Sequence, residues 1–458
     1  MTTTNLTSAS IDQIEISRDK VSQAELDRIL ESHEAFLKHR AGGTRASLKL
    51  RDLSFLDFSG RDLSDADLSG AKLFGARLTG TRLLSANLFA ADLRSANLER
   101  AELRKADLRG ACLRGACMND AVFIDADLRG GVMMKPGKGG GLEQLTFMEG
   151  VTELGSASAQ RADMSRAKMS NAFILQTDLT DATLCNVRFI RADLSNSNLT
   201  GATLEGADLT EANLSGAILH GTVMSKACLM HTNLRDADLI GAILDSVDLS
   251  MADLTNVQLA KRLELLDTSL RECLAAHGAW IDSTGHEGRR ADLSRHDLNG
   301  HDFSGLNLSA ANLGYTIFKG ATLTKAGLVM ADLSFADLRD ADLSYADLRG
   351  ANLTRATLSG ARLIGARLGP VEISGSTTVS HWTANLESAR LARCALGGAD
   401  LRLARMTRAD LTHSDLRETD LRKAVLNEAN LTYADLRGAK LDGAELRGVI
   451  GYESGKSA

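Results

Sequence analysis

From Leu48 a large apolar residue returns at every fifth position as far as Met133, 18 times without a break. The pattern resumes one residue out of phase at Met164 and runs 20 times to Leu259. It starts again at Leu293 for 17 repeats to Ile373, and after another slip runs 13 more from Leu386 to Leu446. Together these make 68 repeats and occupy 340 of the 458 residues. On an α-helix a step of about 100° per residue puts every fifth side chain roughly 140° away, so no apolar stripe forms. On a flat strand five is odd, and successive leucines would point to opposite faces. A chain that turns a corner after each five-residue side buries the pattern, because the large residue of every side then faces inward.

Two places before the large residue sits a small one, as at Ala66, Ala71, Ala76, Ala86 and Ala91. Asp or Asn often stands between them, as in Ala91-Asp92-Leu93 and Ala96-Asn97-Leu98. These triplets resemble the pentapeptide-repeat family, whose consensus is A-(D/N)-L-x-x. The resemblance covers about three quarters of the chain. It implies an all-β fold, a right-handed quadrilateral parallel β-helix with a Leu/Phe ladder inside. Coils of about twenty residues stacked at roughly 4.8 Å would place Leu68, Leu88 and Leu108 in one column, with Leu209, Leu333, Leu353, Leu411 and Leu431 in corresponding ladders. The intervening Asp residues are expected to form solvated outward rows that titrate normally.

Three stretches interrupt the pattern. Residues 134–161 are Gly-rich, 374–383 read as a loop, and 260–292 read as helical. The last has a counterpart before the first array: His33 aligns with His277, Phe36 with Trp280 and Leu30 with Leu274. The chain therefore divides into an N-terminal tail and helical cap (1–47), a first β-helix (48–259, loop 134–161), a helical connector and cap (260–292), a second β-helix (293–448, loop 374–383) and a tail (449–458). A short helical segment precedes each array. The first helix begins near Ser22, with Glu25 three residues on. Such helices would cover the apolar end of a solenoid, and His33 and His277 are read as packing residues. Leu142, Leu145, Phe147 and Met148 are expected to pack back on the column.

Composition excludes several classes of function. Net charge is −6, and residues 48–133 carry 13 Lys/Arg against 12 Asp/Glu, so the basic patch of a nucleic-acid binder is missing. The lopsided stretch is 164–259, with 6 against 11. The six cysteines form no CxxC pair or Cys/His cluster, and they read as free thiols of a reducing, cytoplasmic setting. Cys112 and Cys117 fall on adjacent sides, and Cys394 takes an inward Ala place. No apolar run approaches a membrane span, and the start lacks a secretory signal.

No catalytic, cofactor-binding or metal-ligating set is proposed from spacing. Gly137-Lys138-Gly139 lacks the Ser or Thr of a phosphate loop, and Gly451–Ser457 is one residue short of one. Loops on rigid scaffolds often carry function, which makes Lys135, Lys138, His381 and Trp382 the candidate partner-binding residues. The leading expectation is a non-catalytic scaffold presenting side-chain ladders and loops to a protein partner. The alternative, by resemblance to quinolone-resistance pentapeptide proteins, is a DNA-mimicking modulator of DNA gyrase or topoisomerase, for which the acidic stretch would serve. An activity lodged in the helical segments, tracking with His277 or His381, is the third possibility.

Overall fold

The structure, a computed structural model, describes residues 19–136, 142–145, 151–261, 269–374 and 379–452. Its regular elements are few. Helix α1 (Gln23–Leu37) precedes the first array and α2 (Leu270–Asp282) the second, while hairpins β1 (Met133–Pro136) with β2 (Leu142–Leu145) and β3 (Val371–Ser374) with β4 (Val379–Trp382) interrupt them. Most of the other described residues form a β-helix. Single-residue parallel bridges join each side to the one twenty residues on, as in Asp52↔Lys72↔Asp92↔Cys112.

One repeat shows why the chain winds this way. Asp92 N donates to Ala71 O of the previous coil, Leu93 N to Cys112 O of the next, and Ser95 N to Arg114 O of the next. Ala96 N closes the corner onto Leu93 O at 3.1 Å. Arg94 N donates to Asp92 Oδ1 at 3.2 Å. A side with Asp or Asn in this place thus satisfies all five of its amides, as a packed backbone requires. The Asp/Asn preference follows, because that side chain holds the one amide no neighbouring coil can reach, in an Asx turn. The outward Asp rows are therefore not idle, contrary to the expectation from sequence. Hydrogen bonds from residues two places on, assisted by Arg or Lys, hold Asp52, Asp127 and Asp347 below the usual carboxylate range despite partial burial.

In most sides the second residue after the core leucine turns the corner with positive φ, 54° at Ser95 and 62° at Gly70. That region costs an L-residue roughly 1–2 kcal/mol, so Gly, Asn, Asp and Ser recur there. Inside, Leu68, Leu88, Leu108, Leu209, Leu333, Leu353, Leu411 and Leu431 are buried. Where Thr replaces the inward Ala, its hydroxyl finds a carbonyl: Thr81 Oγ1 donates to Phe58 O at 2.8 Å.

The first interruption ends earlier than the sequence suggests, and both hairpins begin earlier. Cys112 bridges Glu153, so coils resume at 152–154 and residues 152–161 belong to the column. Met133 and Ile373, counted as repeats by periodicity, fall in β1 and β3, because hairpin pairing takes over at those corners. Of Leu142 and Leu145 only the backbone is described, and Phe147 and Met148 lie outside the described residues.

A similar helix stands before the first coil of each array. Lys20 and Lys261 each add one bridge to the first coil, at Asp52 and His296. Ser22 caps α1 by accepting from Glu25 N, and Ser269 with Glu272 forms a full capping box on α2. His33 is buried and stacked on Phe36, His277 on Trp280. His33 Nδ1 accepts from Ala46 N at 3.1 Å while Nε2 meets Ser64 O at 3.0 Å; His277 Nδ1 accepts from Ala291 N at 3.1 Å. Both rings must stay neutral to keep the Nδ1 acceptor, and burial lowers both pKa values from 6.5. A lowered histidine pKa gives stability that is complete above the unfolded value and is lost as pH falls below it. Acidification from pH 7.5 to 5 should therefore loosen both caps first. Hydrogen exchange at α1 and α2 is expected to rise ahead of exchange in mid-column coils, and His33→Gln should remove most of that pH dependence from α1.

The two arrays have separate apolar cores. The second folds back beside the first with opposite chain direction: Arg355 meets Asp181, Phe335 lies over Gly221, and Tyr315 lies beside Gly241. Of the arrangements the sequence left open, end to end or bent at 260–292, the structure has the bent one.

Candidate functional site

The left-handed corner residue is the place to search, since a bulky side chain there is strained unless something holds it. Three of the four tyrosines occupy such corners: Tyr315, Tyr345 and Tyr433, with φ of 61°, 59° and 61°. Tyr315 is used internally, stacked on Phe335 at 4.8 Å between the two arrays. Tyr345 and Tyr433 stand 61% and 78% exposed.

These two tyrosines edge one free side of the second array. Its bridge row runs Asp342, Arg362, Ala395, Asp415, Asp435. Tyr433 marks one edge and stacks on His413 at 4.9 Å. Tyr345 marks the other and lies across Gly365, where a Cβ would come within 2.7 Å of its ring. Beside Gly365 an open groove of about 510 Å³ is lined by Ile364, Gly397, Gly398, Arg417, Glu418 and Arg437, together with Asp415. The repeat D-L-R builds its charged wall. Each Asp sits one place before the core leucine and each Arg one after, so guanidinium and carboxylate meet side by side. Arg417 Nη2 lies 2.7 Å from Asp415 Oδ2, and Arg437 Nη2 lies 2.6 Å from Asp435 Oδ2. Arg437 holds the Asp435 carboxyl at about 2, and Arg417 holds Asp415 below its ordinary value. Such locked ion pairs fix geometry, and they move no protons near neutral pH.

The candidates named from sequence lie elsewhere. Lys138 falls outside the described residues, and only the backbone of Lys135 is described, in β1. His381 and Trp382 are exposed on β4. Trp382 Nε1 donates to Gly350 O at 2.9 Å, so the indole anchors the hairpin to the column while half its surface stays free. The structure does not bring His381 or Trp382 to the groove. Tyr345, Tyr433 and Arg417 were missed, although a bulky residue two places after the core leucine is visible in the sequence.

Cys394 is buried and donates to Leu358 O at 2.8 Å, and burial pushes its thiol up to about 12, as it does that of Cys112. Among the described residues no cluster of His, Cys, Asp and Glu is arranged to hold a metal ion. Among them, too, no helix is long and apolar enough to cross a membrane.

A family model described as pentapeptide repeats matches at residues 52–83, 86–125, 162–259, 289–328, 331–369 and 384–448. Curated proteins give no match. Among solved structures, HetL of the cyanobacterium Nostoc sp. strain PCC 7120, described as a pentapeptide repeat protein involved in heterocyst differentiation regulation, is 23% identical over 78% of this chain and 90% of its own, with a TM-score of 0.19. Rfr23 of the cyanobacterium Cyanothece 51142 is 32% identical over 22% of this chain and 58% of its own, TM-score 0.19. QnrB1, a plasmid-mediated fluoroquinolone resistance protein, is 18% identical over 47% of this chain and 88% of its own, TM-score 0.25. With TM-scores this low, the family assignment rests on the repeat model.

Proposed function

The chain belongs to the pentapeptide-repeat family, and from that premise we propose that it is a non-catalytic scaffold whose second array binds a protein partner through the side edged by Tyr345 and Tyr433. The observation that carries this is the placing of strained, exposed aromatics at corners where glycine is easier. Tyr315 shows what the chain does with such a residue when a surface lies opposite: it stacks and docks. Aromatic anchors beside arginine are the common currency of protein interfaces. The right-handed winding implied by the family, a cap helix as a fixed part of each array, and a cytoplasmic setting for free cysteines belong to the same proposal. So does the absence of catalysis, supported by Asp side chains that are already spent on backbone amides. The loops carrying Lys135, Lys138, His381 and Trp382 are kept as a secondary contact.

A gyrase-directed, DNA-mimicking role is less supported, because Asp181 and Asp245 of the acidic stretch face the second array. The two readings separate experimentally. Replacing Tyr345 and Tyr433 with glycine removes both anchors and also relieves corner strain, so thermal stability is expected to hold. Partner capture from native lysate, compared quantitatively with the unaltered chain, should fall at least tenfold. Unchanged capture by the folded variant, or inhibition of gyrase supercoiling at micromolar protein, would remove this reading.

A further inference from the structure

The acidic stretch 164–259 has an internal counterpart. Among the described residues, the ion pairs that cross between the arrays take their cations from the second, Lys319, Arg339 and Arg355, and Arg390 adds hydrogen bonds beside them. Arg355 reaches Asp181 at 2.8 Å. Lys319 lies 3.3 Å from Asp245, and Arg339 grips both Asp245 and its own neighbour Asp337. Arg390 donates to Gly201 O, Gly221 O and Thr203 Oγ1. These bonds reach the first array because its corner column there is Gly201, Gly221, Gly241. A Cβ on Gly221 would stand 3.0 Å from the Phe335 ring, and one on Gly241 3.4 Å from Tyr315. The row that Arg390 reaches is correspondingly slim: Thr183, Thr203, Val223 and Ile243.

We infer that this contact is an electrostatic latch, holding the two β-helices side by side at low ionic strength and releasing them when the ion pairs are screened or reversed. Each array has its own core and its own cap, so parting them requires no coil to unfold. The apolar share of the contact, Phe335, Tyr315, Ile243 and Ile317, is small beside that of either core. Release would uncover the slim Thr/Val/Ile row of the first array, a flat sheet face that the closed form withholds from partners.

Cys185 reports the state directly, because it lies in the junction close to Arg390 whereas Cys228 is exposed. The full-length chain is alkylated at 50 mM and at 1 M KCl, where the screening length shrinks to about 3 Å, and modification at each cysteine is followed by peptide mass spectrometry. The Cys185/Cys228 rate ratio is expected to rise at least fivefold at high salt. The longest dimension in small-angle scattering should grow about 1.5-fold, from columns of roughly ten and seven coils spaced at about 4.8 Å. Asp181→Arg with Asp245→Arg should give the open values at low salt; arginine fits the left-handed corner at 181, as it already does at Arg166 and Arg191. Asp181→Arg paired with Arg355→Asp alone, leaving Asp245 and Arg339 in place, should restore the closed ones. A ratio and dimension indifferent to salt would overturn the latch. So would a folded reversed variant that stays compact, or a charge swap that fails to reclose it; should the variants misfold, the salt titration of the unaltered chain decides alone.

Discussion

Leu209→Asp is expected to abolish the cooperative melting of the coils around residue 209, while Asp208→Leu beside it costs about 1 kcal/mol. Leu209 is fully buried, with Phe189 one coil below and Leu229 one coil above. A carboxylate there meets only hydrocarbon, and an uncompensated buried charge costs about 3–5 kcal/mol. In a solenoid each coil contacts only its neighbours, so the damage should begin locally and spread until it meets the stabler remainder. Asp208 faces the other way, yet it is not inert: its Oδ1 accepts from Thr210 N at 3.1 Å and from Thr210 Oγ1 at 2.7 Å. Asp208→Asn keeps that acceptor and should be nearly neutral. Thermal and urea melting of the three variants should therefore rank Asn, Leu and then, far below, Leu209→Asp. Equal losses for the two positions would mean that the inside and outside of the column have been exchanged.

The column itself was legible because its signal is redundant. Sixty-eight near-copies of one five-residue side leave the inward position in no doubt, and the internal likeness of His33 and His277 disclosed the repeated helical segment. Corner conformation was not legible in the same way. Periodicity marks which residue faces inward, but positive φ at the second residue after leucine emerges only when the Leu93 O to Ala96 N turn is built. The role of Asp depends on the same turn, which is why its side chain looked free. The folding back of the second array was hidden for another reason. Asp181 and Arg355 are 174 residues apart, and which corners face each other depends on the winding phase of two columns. Apolar spacing does not record that phase. The candidate surface was missed because loops drew attention first, whereas Tyr345 and Tyr433 sit within unbroken repeats and differ from their neighbours only in size.

Replacing Leu26 and Leu30 with lysine should uncap the first β-helix and leave the second folded. Both leucines belong to the same core as Leu48, Leu53, Phe58 and Leu63, and both are buried beneath α1. Fully burying a leucine contributes about 1.5–3 kcal/mol, so losing two removes about 3–6 kcal/mol from a helix of 15 residues that could not persist alone in water. The opposite ends show what exposure does. At the last coil of the first array Leu254 and Leu259 are 36% and 42% exposed, and in the second Leu436, Leu441 and Leu446 are only half-buried. These open coils should already exchange amide hydrogens fast in the unaltered chain. In the uncapped variant, protection is expected to fall at Leu48 through Leu68 to the level of those open coils, while Leu333 and Leu353 keep theirs. Light scattering should detect self-association as well, because the first coil would then offer unpaired strand edges and apolar surface together. Full retention of protection at Leu48 and Leu53 would mean that the coil closes without its helix, and that α1 serves some purpose other than covering the column.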